Sequence, residues 1–247
     1  MSSEYLMNNE IPLGLYGKLP GYGDFIHRNL PAKFLTAWDD WLQLFIAGSK
    51  EQMGDNWLDI YLTSPIWRFV LSAGVVDENH WAGIVLPSVD QVGRYYPFSI
   101  AIPLPGDINP LEFISVNARW YQHIEELALQ ALEGEFSIEE LLAQANHQQL
   151  MVPMAYRKTG QQAKAASLKI DFQFEEELPS NAYAHLLDSL LTATINSYSA
   201  WSTSGSENLS PCLFTVQGLP PASQIPAMMD GQWARWGWPQ AYDQANL

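Results

Sequence analysis

The chain has 247 residues, 47% of them hydrophobic, and its 12 basic and 27 acidic residues give a net charge of -15. This composition is sufficient for a packed core and excludes a disordered chain. The deficit of Lys and Arg argues against nucleic acids and anionic membranes as partners, because both are bound through cationic side chains. A single cysteine, Cys212, excludes an intramolecular disulfide. The N-terminus lacks the basic start and apolar run of a signal peptide, so we expect a cytoplasmic protein.

The first predicted elements are a strand, a turn and a long amphipathic helix. Residues 13–18 are apolar and interrupted by glycine, which indicates a strand entering a turn at Pro20 and Gly21. A helix is predicted from Pro31, since proline suits the first helical position. Apolar residues then recur at three- and four-residue spacing, which predicts a buried aromatic face. These residues are Phe34, Leu35, Trp38, Trp41, Leu42, Phe45 and Ile46.

Strands and further helices follow in the middle of the chain. Three strands are predicted over residues 66–76, 80–86 and 96–104. The first two are separated by the turn residues Asp77, Glu78 and Asn79, which indicates a hairpin. Asn109 and Pro110 provide a cap and first position for a helix that extends to residue 133. Residues 137–140, Ser-Ile-Glu-Glu, form a capping box that opens another short helix.

Helices and strands also alternate in the last part of the chain. Residues 157–167 are polar and aperiodic, and we expect a mobile loop there. The remaining predictions are strands over 168–174, 196–201 and 212–217 and helices over 181–192 and 222–229. This interleaving predicts a single α/β domain, a three-layer α/β/α sandwich with a mixed sheet. The domain is expected to span residues 13–230, after a loose tail of residues 1–12 and before a Trp-rich tail of residues 231–247.

The sequence lacks the motifs of common enzyme and metal sites. Gly14 and Gly17 enclose two residues rather than the four of a phosphate-binding loop, and Leu19 replaces the Ser or Thr of that loop. Neither Gly-x-Ser-x-Gly nor His-Glu-x-x-His occurs. Asp24 and His27 provide two possible metal ligands where about three or four are needed. We therefore expect no metal, no cofactor and no enzymatic activity.

Two polar groups of residues interrupt apolar surroundings at predicted strand ends. The first group is Lys18, Asp24, His27 and Arg28, and the second is Ser88, Asp90 and Arg94. Strand-end loops are where α/β proteins commonly place functional residues. These charges either pair with one another to hold the loops in place or form a surface that a partner contacts, and the two interpretations are compatible.

Three tryptophans near the C-terminus, Trp233, Trp236 and Trp238, lie among Gly and Pro without a regular period. They either fold back over the core or present an aromatic contact surface. The second interpretation is considered because aromatic anchors dominate the energetics of protein interfaces.

Several sequence blocks in residues 14–104 form a specific combination. They are GKLP at 17–20, GDF at 23–25, WDDWL at 38–42, SPIWRF at 64–69 and PSVDQVGRYYP at 87–97. In this combination the chain resembles the TagF (ImpM) family of type VI secretion-associated proteins. The second half is less similar, and a Trp-Trp pair of the family is represented here by Ala200 and Trp201.

The resemblance implies an α/β/α fold without enzymatic activity, in a cytoplasmic accessory protein of a Gram-negative secretion machine. It also implies a post-translational repressor of secretion that acts through a forkhead-associated scaffold protein. The leading hypothesis is therefore a protein-binding module whose acidic surface complements a basic patch on its partner. The alternative is a small-ligand sensor or an uncharacterised enzyme with a polar pocket. That pocket would contain Lys18, Asp24, Arg28, Asp90 and Arg94.

Overall fold

The computed structural model describes residues 4–6, 12–145, 150–153, 168–171, 180–239 and 242. The strands are β1 (Glu4–Leu6), β2 (Gly14–Gly17), β3 (Ile26–Arg28), β4 (Trp67–Leu71), β5 (His80–Leu86), β6 (Phe98–Leu104), β7 (Met151–Pro153), β8 (Tyr198–Thr203) and β9 (Cys212–Gln217). The helices are α1 (Ala32–Met53), α2 (Trp57–Leu62), α3 (Pro110–Val116), α4 (Ala118–Leu132), α5 (Ile138–Ala145), α6 (Ser180–Ile195) and α7 (Ala227–Asp230). No described helix is both long enough and apolar enough to cross a bilayer.

The main sheet has seven strands in the order β3-β2-β6-β5-β4-β8-β9. Each neighbouring pair of these strands is antiparallel, so the mixed character expected from the sequence is not found in the described sheet. The reason lies in the connections. Loops without a helix join β2 to β3, β4 to β5, β5 to β6 and β8 to β9. Strands joined directly in this way pair antiparallel, whereas a parallel pair needs a long crossover, usually a helix. The predicted hairpin of β4 and β5 is confirmed.

The sheet lies between two helical layers, which confirms the three-layer α/β/α architecture. On the central strands, alternate residues enter different cores because successive side chains point to opposite faces. Phe69 and Leu71 pack with α1, α2 and α7, while Val70, between them, packs with α3, α4 and α5. The strands are therefore apolar on both faces, as is typical of a sheet covered on each side.

Helix α1 packs its aromatic stripe against the sheet, as its spacing predicts. Pro31 is extended at the N-cap, and Phe34, Trp38 and Trp41 are buried. The indole N–H groups also have partners, since Trp38 donates to Ser99 Oγ at 3.0 Å and Trp41 donates to the carbonyl oxygen of Pro220 at 2.9 Å. Large aromatic side chains are thus buried without leaving a polar atom unsatisfied.

Two predicted helices are divided or shortened in the structure. The helix predicted over 109–133 is divided at Asn117, whose side chain donates to the carbonyl oxygen of Phe113 at 3.1 Å. Such a local bond competes with continuation of the helix. The last predicted helix is shortened to α7, which follows Pro226. Proline has no N–H group with which to extend a helix in the N-terminal direction.

Strand β4 is shorter than the strand predicted over 66–76, and further differences concern the segments near the gaps in the description. Strand β1 pairs with β7 in a separate two-stranded sheet, so part of the predicted tail 1–12 is extended and paired. Residues 168–171 are not in a strand, and the rest of the strand predicted over 168–174 lies outside the described residues. The loop predicted over 157–167 lies outside them as well.

Candidate functional site

Two loops meet at one end of the sheet, where β2 and β6 are neighbours. Residues 18–25 follow β2, and residues 87–97 precede β6, with Gly17 opposite Phe98 in the register. Gly17 has a φ of 128°, and a Cβ atom at this position would lie 2.0 Å from the carbonyl oxygen of Pro97. Only glycine fits this close approach and this backbone conformation, and it brings the two loops into contact.

Asp90 lies at the centre of the joined loops. Its Oδ2 atom accepts hydrogen bonds from Lys18 Nζ at 2.5 Å and from Arg94 Nε at 2.6 Å. Its Oδ1 atom accepts from the backbone N–H groups of Val92 at 3.1 Å and Arg94 at 2.8 Å. The carboxylate is buried and fully engaged. Asp90 therefore joins the two loops and also shapes its own turn.

The protonation of Asp90 follows from these contacts. Burial by itself raises the pKa of the carboxyl group, but the hydrogen bonds from Lys18 and Arg94 outweigh burial and hold the pKa of Asp90 well below its usual range. Lys18 is also buried, with 5% of its side chain exposed, whereas 59% of the Arg94 side chain is exposed. The pair of Lys18 and Asp90 is thus an interior ion pair, and Arg94 extends from it to the surface.

Ser88 is a second link between the loops. Its hydroxyl donates to the carbonyl oxygen of Lys18 at 2.6 Å, and its own carbonyl accepts from the hydroxyl of Tyr61 at 2.8 Å. The backbone N–H of Gln91 donates to the carbonyl oxygen of Tyr22 at 3.1 Å. Because the Ser88 hydroxyl is buried and already donating, its role in this structure is to anchor the loop.

The other predicted residues of the first group lie on the surface. His27 Nε2 is 3.0 Å from the carbonyl oxygen of Leu30, and Arg28 Nη2 is 3.8 Å from Glu139 on α5. Asp24 is exposed, and no described residue donates a hydrogen bond to it. The structure therefore brings together Lys18, Ser88, Asp90 and Arg94 and leaves Asp24, His27 and Arg28 outside that cluster.

An exposed phenylalanine that sequence reasoning did not select lies beside the Asp90 cluster. Phe25 is 49% exposed. Its ring stacks on Tyr16 at a centroid distance of 5.9 Å and meets the edge of Tyr96 at 4.9 Å. The ammonium of Lys18 lies 4.8 Å from the ring centroid. Phe25 is thus held between two rings and a cation while one side faces solvent.

The two tyrosines beneath Phe25 are themselves held in place by α1. Both hydroxyl groups, of Tyr16 and Tyr96, donate to Asp39 Oδ1 at 2.5 Å, and Gln43 donates to Asp39 Oδ2 at 2.7 Å. Burial and the contact with Asp39 raise the pKa of both tyrosines, so both hydroxyls stay protonated and donate. The sequence signal for this platform is the pair of blocks GDF and WDDWL, which contain Phe25 and Asp39.

The tip of the second loop is also apolar and exposed. Val92 is 69% exposed in a turn that closes with a hydrogen bond of 3.0 Å from the N–H of Gly93 to the carbonyl of Asp90. Arg94 reaches across to the first loop and donates from Nη2 to the carbonyl oxygen of Gly23 at 2.5 Å. We refer to Phe25, Val92 and Arg94 together as the loop-tip surface.

Two of the three C-terminal tryptophans lie against edge strand β9, at the opposite edge of the sheet from β2 and β3. Trp233 and Trp238 pack on Phe214 at centroid distances of 5.6 Å and 4.6 Å. Trp236 donates from its indole N–H to Asp230 at 2.8 Å. All three are partly buried, so each retains some surface that a partner could contact.

The described residues give no indication of a metal site or of a reactive thiol. Within the ranges that the structure describes, no group of three or more His, Cys, Asp or Glu side chains is arranged to hold a metal ion. Burial raises the pKa of the Cys212 thiol to about 11. The thiol is therefore protonated at neutral pH, and protonated thiols are poor nucleophiles.

Comparison with known proteins assigns the region that contains both loops to a protein family. Residues 14–147 match the family described as TagF N-terminal domain, type VI secretion system-associated. The chain is also similar to PA0076 from Pseudomonas aeruginosa PAO1, a crystal structure, with 31% sequence identity and a TM-score of 0.75. This similarity covers 95% of the present chain and 100% of PA0076. No curated protein matches the sequence.

Proposed function

Because the chain belongs to the TagF family of type VI secretion-associated proteins, we propose that it represses type VI secretion post-translationally by binding another component of the machinery. The family membership confirms the resemblance carried by the blocks at residues 17–97. The proposed partner is a cytoplasmic scaffold protein with a forkhead-associated domain, and the proposed mode of action is sequestration rather than catalysis.

The observation that carries this proposal is the exposure of Phe25 and Val92 on loops joined by a buried ion pair. Lys18 and Asp90 hold the loops together from inside, and the rings of Tyr16 and Tyr96 support Phe25 from below. A partner that covers Phe25 therefore immobilises a side chain that is already ordered, which reduces the entropic cost of association. Aromatic anchors of this kind supply much of the affinity at protein interfaces.

The contacts of the polar loop residues favour a protein-binding role over catalysis or small-ligand binding. Lys18, Ser88 and Asp90 are buried and bonded to one another or to backbone groups. A catalytic or ligand-binding pocket requires such groups to be directed at a substrate. Asp24 and Arg28 lie on the surface outside this cluster. The alternative of a sensor or an enzyme would need the five residues of the predicted pocket to converge on a common cavity. These residues are Lys18, Asp24, Arg28, Asp90 and Arg94.

The acidic surface next to the loops supports an electrostatic role in partner encounter. Helices α4 and α5 and their connection expose five glutamates. They are Glu126, Glu133, Glu135, Glu139 and Glu140. Glu139 lies 3.8 Å from Arg28 and so connects this surface to the first loop. Charges of one sign at the rim of an interface accelerate association with a basic partner and select against acidic ones.

A genetic experiment in the native host tests the proposed repression. Deletion of the gene should raise type VI effector release while threonine phosphorylation of the scaffold stays unchanged, and expression of the wild-type chain should restore repression. Expression of a Phe25→Ala variant should restore it poorly, whereas Leu44→Ala, which changes an exposed leucine on α1, should restore it fully. Unchanged effector release after deletion would rule out the repressor role.

A further inference from the structure

Strand β9 lies at one edge of the main sheet and lacks the charges, proline and bulges that usually protect an edge strand. Its six residues, CLFTVQ, include no charge, no proline and no glycine. Its register with β8 is continuous from Tyr198↔Gln217 to Thr203↔Cys212, without a bulge. No described strand pairs with the outer side of β9. Natural edge strands are normally protected by charges, proline or bulges, because an unprotected edge pairs with another strand.

The two faces of β9 have different environments. On one face Phe214 is partly covered by Trp233 and Trp238. On the other face Leu213 is 67% exposed, and Thr215 is exposed beside it. Thr215 lies opposite Ala200 in the register, and Ala200 belongs to the core on the α3 side of the sheet. The exposed face of β9 therefore points to the same side of the sheet as α3.

Helix α6 lies on this same side and presents an apolar stripe. The hydroxyl of Tyr198 on β8 donates to Asp188 on α6 at 2.7 Å, which places α6 over the strand next to β9. Tyr183, Leu187 and Leu190 are exposed at spacings of four and three residues, so they share one face of the helix. Asp188 is buried, and the exposed part of this stripe carries no charge.

We propose that this surface, made of the α6 stripe with Leu213 and Thr215, binds a second copy of the chain. Strand β9 pairs antiparallel with β9 of the second copy about a two-fold axis, and the two sheets become continuous. The α6 stripes of the two copies then lie on the same side of the joined sheet. We refer to this surface as the edge face.

The lack of charge on the edge face permits a second copy to approach there. Each chain carries a net charge of -15, so two copies repel each other wherever their acidic surfaces approach. The described side chains of the edge face are apolar or neutral, so contact through them brings no acidic groups together. Antiparallel pairing of one strand with itself is also self-complementary, as a two-fold contact between identical chains requires.

The proposal predicts an unusual response to salt. The attraction at the edge face is apolar and backbone-mediated, while the long-range force between two acidic chains is repulsive. Salt screens that repulsion over a Debye length of about 10 Å at 0.1 M. Raising NaCl from about 0.05 M to about 0.5 M should therefore tighten self-association, whereas an interface based on salt bridges would weaken.

Sedimentation velocity of the full chain, from about 1 µM to about 100 µM, tests the proposal directly. We expect a concentration-dependent dimer that Leu213→Lys combined with Thr215→Lys weakens at least about tenfold, because charges on an edge strand oppose pairing. Leu44→Lys, at an exposed leucine of α1 in the other helical layer, is the matched control and should leave the dimer intact. Leu187→Glu tests the α6 stripe separately, and all variants are compared by circular dichroism for folding.

Hydrogen exchange identifies the contacting strand. In the dimer, the outward N–H groups of β9 should exchange more slowly as protein concentration rises, and the double lysine variant should lose this protection. A chain that is monomeric throughout the concentration range would overturn the proposal. So would a dimer that the lysine variant does not weaken, or one in which β9 gains no protection.

Discussion

The Nζ atom of Lys18 lies 2.5 Å from the Oδ2 atom of Asp90, although 72 residues separate them in the chain. The pair is buried and joins the loop after β2 to the loop before β6. The loop-tip surface is therefore positioned by an interior contact rather than by the exposed residues that form it.

Lys18→Met should destabilise the fold. The substitution removes the buried cation and leaves the Asp90 carboxylate with Arg94 as its remaining charged side-chain partner, and loss of one member of a buried pair is strongly destabilising. We expect a fall in Tm of roughly 5 °C or more by calorimetry. Lys33→Met is the matched control, because Lys33 forms an exposed ion pair with Glu78 at 3.0 Å and such pairs contribute little. Equal effects of the two changes would contradict the prediction.

Protonation of Asp90 at acidic pH should lower the stability of the fold. The pKa of this carboxyl is lower in the folded than in the unfolded chain, where it is about 3.9. The unfolded state therefore binds the proton more readily, and the stabilisation by Asp90 is complete above pH 4 or so and lost as pH falls towards the folded pKa. Asp90→Asn should flatten the dependence of Tm on pH below about 4. Asp24→Asn, at an exposed position, should leave that slope as in the wild type, and an unchanged slope in Asp90→Asn would refute this role.

Phe25→Ala should weaken partner binding without unfolding the chain. Phe25 is half-exposed, and its loss removes an ordered aromatic contact, so we expect at least about a tenfold loss of affinity for the partner recovered from native lysate. The Tm should change by no more than about 2 °C. Leu44→Ala serves as the control for loss of an exposed apolar side chain. Full affinity in Phe25→Ala would place the binding face elsewhere.

Charge reversal at Arg28 and at Arg94 should have different effects. Arg94 bonds both Asp90 and the carbonyl of Gly23, so Arg94→Glu should lower Tm by several degrees and weaken binding. Arg28 lies on the surface at 3.8 Å from Glu139, so Arg28→Glu should alter binding alone. Calorimetry and a pull-down of each variant measure the two effects. A stable Arg94→Glu variant would show that the loops do not depend on this side chain.

Gly17→Ala should be far more costly than Gly21→Ala. At Gly17 a Cβ atom would lie 2.0 Å from a backbone oxygen, and the φ of 128° is unfavourable for alanine. We expect a loss of at least about 2 kcal/mol in the free energy of unfolding. At Gly21 no heavy atom lies within 4 Å of the added methyl group, so denaturant unfolding of that variant should be close to the wild type. Similar midpoints for both variants would disprove the close approach of the loops.

Local patterns in the sequence predicted the elements well where neighbouring residues decide the structure. The aromatic face of α1 follows from helical periodicity. The capping box at the start of α5 is present, with the N–H of Glu140 donating to Ser137 Oγ at 3.2 Å. Strand β9 has the predicted bounds. The division of the helix at Asn117 was not predicted, since it depends on a side chain bonding to its own backbone rather than on periodicity.

The composition and motifs of the sequence by themselves determined the α/β class, the acidic surface and the family. Only the tertiary structure decided that the described strands are antiparallel and that Lys18, Ser88, Asp90 and Arg94 form one cluster while Asp24 and His27 remain outside. It also placed Phe25 on Tyr16 and Tyr96, where sequence spacing shows no relation between the three. The physical reason is the range of the interactions. Helical periodicity and capping depend on residues a few positions apart in the chain. A buried charge is instead stabilised by residues that are distant in the chain and that the strand order brings within hydrogen-bond distance.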